Sequence, residues 1–318
     1  MKQVFALILA LMMILSLVAC GSKTDESGSL TFITGSETGT YYTFGTVLGD
    51  TVSESTDTQV TVVSSNGSQA NIEALQAGDA DIAFVQSDVM AYGYNGTHFF
   101  ADTGAVTTFS TVAAMYMEQV QLVTLDPSIK SVDDLAGKRV SIGATGSGVY
   151  YNAIDILDVY GLTEDDIIPS FYDFTETVDA LRDGKIDAGF LVAGAPTKAV
   201  TSLTETDDAY LISLDDEHIG ALIASSPYYA KNTIGAEVYG TPEDVTTVGI
   251  RAVVIASDSA SEEDVYNFIS AIFSNLDTIA HDKTKEMSLD FAASITDVPY
   301  HPGAVSYFRE MGLTVLAK

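Results

Sequence analysis

Two short segments carry residue types that could bind a small molecule: GSETGTYYTFG (Gly35–Gly45) and GATGSGVYYNA (Gly143–Ala153). Each follows an apolar run, places glycine and hydroxyl residues before a Tyr-Tyr pair, and leads into helical spacing. Backbone N–H groups at a helix start lack intrahelical partners and carry partial positive charge, so they bind carboxylate or phosphate. Glycine lets the backbone approach a ligand closely. The two segments therefore predict an anion site that uses neutral donors.

A third candidate is FVQSDVMAYGYNG (Phe84–Gly96), where Gln86, Ser87 and Asp88 follow an apolar strand. Gln86 could bond a polar group of a ligand. Asp88 could accept from an ammonium group, or it could simply cap the following helix. In the matching place of the second half, AGAP (Ala193–Pro196) offers backbone groups and a turn. The two tyrosine pairs are Tyr41 with Tyr42 and Tyr150 with Tyr151. We expect one ring of each pair to pack in the core and the other to contact the ligand.

The elements around these segments alternate between strand and helix signals, which predicts βαβ units and a mostly parallel sheet. The expected strands are Leu30–Thr34, Val60–Val63, Ile82–Val85, Val120–Leu125, Val140–Ile142, Ala188–Val192 and Val248–Ile255. The expected helices are Tyr42–Val52, Asn71–Ala77, Tyr150–Tyr160 and Glu176–Arg182. Ligands of open α/β sheets bind beyond the carboxyl ends of the strands. Both glycine-rich segments should therefore face a crevice at that end.

The chain also contains an internal echo. NIEALQAGDADIAFVQSD (Asn71–Asp88) and TVDALRDGKIDAGFLVAGAP (Thr177–Pro196) share a helix, a glycine and an Asp-containing strand start. Their offset along the chain is close to the offset between the two Tyr-Tyr segments. The shared order predicts two halves of related architecture. The alternative is chance, because glycine-capped helices before strands are common.

The N-terminus has the pattern of a secretory signal. It begins with Lys2, continues apolar from Val4 to Ala19 and ends at Cys20, the one cysteine of the chain. The ending resembles the bacterial lipobox, whose cysteine is lipidated and becomes the first mature residue. A membrane-spanning anchor is the alternative, but a span needs about 20 apolar residues. We therefore expect a signal peptide at 1–19, a tether at 20–29, and an extracytoplasmic protein lipid-anchored to the cell membrane through Cys20.

Composition narrows the function classes. The 318 residues carry a net charge of −30, which argues against nucleic acid and anionic lipid surfaces as partners. The length suffices for a large core or two lobes. The chain contains no G-x-S-x-G, phosphate-binding-loop or H-E-x-x-H motif, and its four histidines lack metal-ligand spacing. We expect a monomer that is not an enzyme and uses no cofactor or metal.

Five segments together resemble the TAXI-type solute receptors of TRAP transporters. In order from about residue 30 to 312 they are TGSETGTYYTFG, ALQAGDADIAFVQSD, DDLAGKRVSIGATGSG, LRDGKIDAGFLVAGAPTKAV and VPYHPGAVSYFREMG. The resemblance implies an α/β, two-lobed type II periplasmic-binding-protein-like fold with a hinge. It also implies capture of a small organic anion or amino acid, glutamate-like or a dicarboxylate, for delivery to a TRAP membrane permease.

The chain departs from the family where Ser36-Glu37 replaces a frequent glycine pair, and Glu37 would repel a carboxylate if it pointed inward. The other branch of TRAP receptors clamps a carboxylate with arginine, and none of the four arginines here lies in the ligand loops. Arg139 and Arg251 are on strands and could contribute to anion binding from behind the ligand loops. Neutral donors therefore remain the expected means of holding an anion.

The resemblance assigns the ligand to four loops, Gly35–Tyr42, Gln86–Asp88, Thr145–Tyr150 and Gly194–Pro196. The predicted ligand residues are Gly35, Ser36, Thr38, Gly39, Thr40, Tyr41, Tyr42, Gln86, Ser87, Asp88, Thr145, Gly146, Ser147, Gly148, Tyr150, Gly194 and Pro196. We expect lobe 1 to comprise 30–118 plus 250–318 and lobe 2 to comprise 119–249. The hinges should lie near Glu118–Val123 and Val248–Val253. A sensory receptor for a membrane kinase is the alternative function; a secreted hydrolase is disfavoured because no nucleophile–base pair is evident.

Overall fold

A computed structural model describes residues 28–318. The predicted signal peptide, Cys20 and all but the last two residues of the predicted tether lie outside the described residues. Within 28–318, no helix combines the length and the apolar character that a membrane span requires.

The described residues form one sheet with helices on both sides. The strands are β1 Ser29–Ile33, β2 Gln59–Val63, β3 Ile82–Gln86, β4 Phe109–Thr124, β5 Arg139–Ser141, β6 Ile168–Ser170, β7 Ala188–Ala193, β8 Tyr210–Ile212, β9 Ala230–Ile234 and β10 Val245–Ser257. The α-helices are α1 Thr40–Ser55, α2 Ser68–Ala77, α3 Ser87–Asn95, α4 Phe100–Thr103, α5 Gly148–Val159, α6 Phe174–Arg182, α7 Lys198–Thr206, α8 Asp216–Ser225, α9 Ala236–Tyr239, α10 Glu262–Ser274, α11 Leu289–Ala292 and α12 Pro302–Glu310. Three 3-10 helices cover Val132–Leu135, Glu164–Asp166 and Asp282–Glu286.

The sheet is symmetric about two long central strands. Its order is β2-β1-β3-β10-β4-β7-β5-β6, with β8 paired to β4 and β9 paired to β10. β1 runs parallel to β2 and β3, and β5 runs parallel to β6 and β7. β4 and β10 pair antiparallel with each other and with their other neighbours. The expectation of a mostly parallel sheet is therefore wrong, because an apolar run does not reveal strand direction.

The internal echo corresponds to equivalent contacts in the two halves. Asp81, at the start of β3, accepts the Thr31 N–H of β1 at 2.7 Å. Asp187, at the start of β7, accepts the Arg139 N–H of β5 at 2.8 Å. In both halves the aspartate fastens a strand to its parallel neighbour, and the preceding helix ends at a left-handed glycine, Gly78 or Gly184. Two related βαβ arrangements thus flank the central strands.

Hydrophobic packing separates the molecule into two lobes. One core gathers the side chains of β1, β3 and α10, such as Phe32, Phe84 and Phe268. Side chains of β5, α5 and β7 pack into another core, and a smaller cluster lies beneath α6 and α7. The change from one core to the other falls between Tyr116 and Val120 on β4 and between Ile250 and Ala252 on β10. The two long strands therefore join the lobes.

Candidate ligand-binding site

A cavity of about 50 Å³ lies between the lobes, and helix starts surround it. Its lining includes the first turn or the N-cap of α1, α2, α3, α5 and α6. The residues that contribute these helix starts are Gly39, Thr40, Gly67, Ser68, Gln86, Ser147, Gly148, Asp173 and Phe174. A helix start presents unpaired N–H groups and about half a positive charge. Their convergence makes the cavity attractive to an anion, although no Lys or Arg is among the residues that line it.

The N-cap residues differ in how many N–H groups of the first helical turn they leave available to a ligand. Gly39 and Gly67 cap α1 and α2 without a side-chain hydrogen bond. Gln86 caps α3 without one as well, but there Asp88 Oδ1 accepts the first-turn Val89 N–H at 2.8 Å. Ser147 caps α5 through a long bond, its Oγ accepting from the Tyr150 N–H at 3.4 Å. Asp173 caps α6 in a complete capping box, so its own carboxylate serves that helix. The N–H groups of α1, α2 and α5 are therefore the ones available to a ligand.

One wall of the cavity carries a buried carboxyl group, that of Glu118 on β4, which is 1% exposed. The Tyr41 hydroxyl donates to Glu118 Oε1 at 2.5 Å, and the Tyr41 ring stacks on Phe84 with centroids 4.8 Å apart. Burial raises the pKa of Glu118 well above its ordinary value, against the opposing effects of the Tyr41 hydrogen bond and the Lys283 ammonium. Glu118 can thus exist as a neutral acid in the cavity wall.

Gln86 supplies a free acceptor at the same place. Its Nε2 donates to Asn152 Oδ1 at 2.9 Å, which orients the amide. Its Oε1 is buried and has no hydrogen-bond partner among the described residues. An unsatisfied buried oxygen costs about 1–3 kcal/mol, so a ligand that donates a hydrogen bond to it would recover that free energy.

The lobes contact each other around the cavity, an arrangement that we call closed. The Thr40 hydroxyl donates to the Gly194 carbonyl at 2.7 Å, and the Thr38 and Thr175 hydroxyl oxygens lie 3.1 Å apart. Further bonds across the boundary join Asn66 Nδ2 to the Thr145 carbonyl, the Ala70 N–H to the Gly146 carbonyl, and the Tyr151 hydroxyl to Gln69 Oε1.

The structure brings part of the predicted ligand set to the cavity. The predicted residues that line it are Gly35, Ser36, Gly39, Thr40, Tyr41, Gln86, Ser147 and Gly148. Four others, Thr38, Thr145, Gly146 and Gly194, instead make the contacts between the lobes. Glu37 is exposed and does not line the cavity. Its carboxylate therefore does not oppose an anion from within.

The remaining predicted residues lie away from the cavity. Tyr150 donates its hydroxyl to Glu164 at 2.8 Å within its own lobe, and Tyr42 is a half-buried residue of α1. Successive helical residues turn by about 100°, so Tyr150 faces away from the side that Gly148 presents. Ser87 and Asp88 are buried beneath the cavity. Pro196 lines a separate, open surface depression.

The sequence left two further questions open, and the structure answers both. Asp88 is not the N-cap of α3, because Gln86 holds that position; its Oδ1 accepts only the neighbouring Val89 N–H at 2.8 Å. Arg139 pairs with Asp187 at 2.5 Å, and neither Arg139 nor Arg251 is among the residues that line the cavity.

The predicted ligand loops omit one whole loop and several single residues of the lining. The loop is Ser65–Ser68, which follows β2 and opens α2. The single residues are Glu118, Ala144, Asp173, Phe174, Val192 and Ala193. The letters SSNGS at 64–68 repeat the strand, small polar residues and helix order of the two predicted segments. Glu118 is the single acidic residue within the apolar run VAAMYMEQVQLV, and that position in the sequence could have indicated a functional carboxyl group.

Comparisons with known proteins show the fold and the family. The alkanesulfonate-binding protein SsuA from Xanthomonas axonopodis pv. citri, bound to MOPS, matches with a TM-score of 0.51 at 16% identity over 89% of this chain and 83% of that chain. An ancestral arginine-binding protein bound to arginine matches with a TM-score of 0.50 at 14% identity, over 82% and 99%. The substrate binding protein of an amino acid ABC transporter matches with a TM-score of 0.50 at 13% identity, over 81% and 97%.

These likenesses establish a two-lobed α/β fold of the type II periplasmic-binding-protein class. A sequence model of the NMT1-like family matches residues 32–312. The chain therefore belongs to the NMT1-like family.

Proposed function

We propose that this chain is an extracytoplasmic solute-binding lipoprotein that captures a small organic anion or amino acid between its lobes. The observation that carries the proposal is the convergence of five helix starts on the cavity between the lobes. Lobe 1 is 30–118 plus 250–318 and lobe 2 is 119–249, and they open and close about β4 and β10. The separate cores support this division.

The helix starts hold the anionic group of the solute. Each contributes about half a positive charge and directed N–H donors. The net charge of −30 does not prevent this, because surface charges beyond a Debye length of about 8 Å are largely screened at physiological salt. Nearby donors therefore dominate the binding free energy.

The opposite wall favours a solute that also donates hydrogen bonds. Gln86 Oε1 has no partner and Glu118 presents a carboxyl group, so an ammonium or hydroxyl group of the solute finds acceptors there. A second carboxylate at that wall would face the unpaired Gln86 oxygen, which cannot donate a hydrogen bond to it. We therefore favour an amino acid or hydroxy acid over a dicarboxylate. The cavity of about 50 Å³ is small beside the roughly 300–1,000 Å³ of pockets for drug-sized ligands, so the solute is compact.

The matched structures agree with this chemistry, since one holds the sulfonate MOPS and one holds arginine. Delivery to a TRAP-type permease rests on the resemblance of the five segments to TAXI receptors. An ABC-type permease is the second candidate partner, because one matched protein serves an amino acid ABC transporter. A sensory role at a membrane kinase uses the same cavity. Co-expression of the chain with each permease in turn distinguishes these roles, because restored solute uptake identifies the permease that the chain serves.

The binding claim is tested by thermal shift on residues 28–318 against amino acids, mono- and dicarboxylates, sulfonates, sugars and phosphates. A solute at a hundred times its Kd adds about 2.7 kcal/mol to the free energy of unfolding. We expect the largest rise in Tm from a compact carboxylate that carries an amino or hydroxyl group. A response to sugars alone would contradict the anion site.

Ser147→Ala removes an N-cap that lines the cavity, and we expect it to weaken binding of the responding solute about tenfold. Ser261→Ala is the matched control, because Ser261 caps α10 by an equivalent bond of 3.3 Å outside the cavity. Each substitution should lower stability by about 1 kcal/mol, but only Ser147→Ala should lower affinity. Equal affinity of the two variants would refute the role of α5.

A further inference from the structure

A buried polar network joins the lobes beneath the cavity. Asp88 on α3 is fully buried and its Oδ2 accepts from Asn152 Nδ2 of α5 at 3.0 Å. The Asn152 amide also donates to the Tyr229 hydroxyl at 2.9 Å and accepts from Gln86 at 2.9 Å. Val89 beside Asp88 belongs to the lobe 1 core, whereas Tyr229 and Ala153 beside Asn152 belong to the lobe 2 core. Closure of the lobes thus completes the network.

Asp88 has no cationic partner in this network. None of the ion pairs among residues 28–318 involves Asp88. Its hydrogen-bond donors are the Val89 N–H and the Asn152 amide. Asp88 interacts electrostatically with titratable groups on several surrounding elements. They are Tyr92 of α3, Glu118 of β4, Tyr151 and Asp155 of α5, and Tyr228 and Tyr229 before β9. Burial raises the pKa of Asp155, and the Tyr229 hydrogen bond and the nearby His98 oppose that rise. Lobe closure therefore seals a carboxyl group among acids and phenols.

We propose that Asp88 is a proton-binding site completed by lobe closure, so that capture of a solute takes up a proton. The inference rests on the proposed function, because it requires the lobes to open and close. In the open form α5 leaves α3, and water can solvate the carboxylate. In the closed form the ionised carboxylate loses that hydration without gaining a cation. Closure therefore favours the protonated acid.

The direction and pH range follow from the same environment. Burial raises the pKa of Asp88 to about 7, opposed by the Val89 N–H and reinforced by Asp155, whereas a solvated Asp titrates at about 3.9. Because the pKa of Asp88 is higher in the closed form, the equilibrium constant for closure has its largest value below about pH 4. That constant falls by up to tenfold per pH unit between about pH 4 and pH 7 and no longer changes above about pH 7. Closure takes up close to one proton at pH 5.5 and almost none at pH 8.5.

The test holds the lobes closed or open without any solute. Thr38→Cys with Thr175→Cys forms a disulfide across the boundary, where the two hydroxyl oxygens lie 3.1 Å apart; residues 28–318 contain no other cysteine. Gly148→Trp wedges the lobes apart, because a Cβ at that position would already lie 1.8 Å from Gln86 Oε1 and 3.0 Å from Ser68 Oγ of lobe 1, and an indole needs more room than movement of the Gln86 side chain alone provides. Carboxyl ¹³C NMR then measures the titration midpoint of Asp88 in both proteins. Its resonance is assigned by its loss in Asp88→Asn.

We expect a midpoint near pH 7 in the disulfide-closed protein and near pH 4 in the wedged protein. The exposed Asp166, assigned through Asp166→Asn, is the control, because its pKa is lowered by hydrogen bonds from Thr163 within lobe 2 and its midpoint should therefore be the same in both proteins. Equal midpoints for Asp88, with a larger radius of gyration for the wedged protein, would overturn the proton site and leave the lobe movement intact. A radius that the wedge does not increase would refute the movement itself, and the proton uptake with it.

Discussion

Gly148 is the position where one added methyl group should act on closure of the lobes. A Cβ there would lie 1.8 Å from Gln86 Oε1, 2.5 Å from Gln86 Cδ and 3.0 Å from Ser68 Oγ. Non-bonded heavy atoms prefer about 3.5–4.0 Å, so the groups must separate by more than about 1.5 Å. Gly148 does not have a positive φ. Gly148→Ala therefore tests crowding between the lobes and not backbone strain.

Two responses are open to the Gly148→Ala protein, and both weaken binding. Gln86 can swing away and give up its 2.9 Å bond to Asn152, or the lobes can stay apart. Overpacking of this kind costs about 1–3 kcal/mol. Because only the closed form pays this cost, the affinity for the solute should fall about 5- to 150-fold. The stability of each lobe should change little.

The assay is isothermal titration with the solute that gives the largest thermal shift, together with small-angle scattering. Gly220→Ala is the matched control: it makes the same change in α8, where the added Cβ meets nothing within 4 Å. Alanine in that helix should raise stability by about 0.5–1 kcal/mol and leave affinity unchanged. Unchanged affinity and radius of gyration in Gly148→Ala would refute the closed geometry described here.

Two further predictions concern single side chains. Tyr41→Phe keeps the ring stack but removes the hydroxyl that donates to buried Glu118, so the free energy of unfolding in urea should fall by about 1–3 kcal/mol; an unchanged urea midpoint would argue against this bond. Asp187 has its pKa lowered by the Arg139 hydrogen bond, so its stabilisation is present above its ordinary pKa and is lost as pH falls through the lower folded-state pKa. Acid titration of stability should therefore show an extra loss of about 1 kcal/mol or less in the wild type compared with Asp187→Asn, and identical curves would contradict that sign.

The local elements of this fold could be predicted from sequence because their signals are local. The expected strand Ile82–Val85 is one residue shorter than β3, at its C-terminal end. The expected helix Asn71–Ala77 is three residues shorter than α2, at its N-terminal end. The two Tyr-Tyr segments do open helices, and each helix start lines the cavity. Strand alternation and helix caps depend on neighbouring residues alone, so such patterns survive in the sequence.

Strand direction and side-chain orientation could not be predicted in this way. β4 and β10 run through both lobes, with 16 and 13 residues, but only the pieces Val120–Leu125 and Val248–Ile255 looked like strands. Their antiparallel pairing depends on the whole topology. Tyr150 stands two positions from Gly148 in sequence, yet helical rotation turns it away from the cavity. Glu118 meets Tyr41 across 77 residues of sequence, a contact that only the whole fold produces.

The position of the bound solute decides whether the cavity between the lobes is the binding site. We would determine the crystal structure of residues 28–318 with the compound that gives the largest thermal shift. We expect an anionic group of the solute about 3 Å from N–H groups at the starts of α1, α2 or α5, and a donor group of the solute in contact with Gln86 Oε1. A solute bound instead in the open depression beside Lys283, with the cavity between the lobes empty, would contradict it.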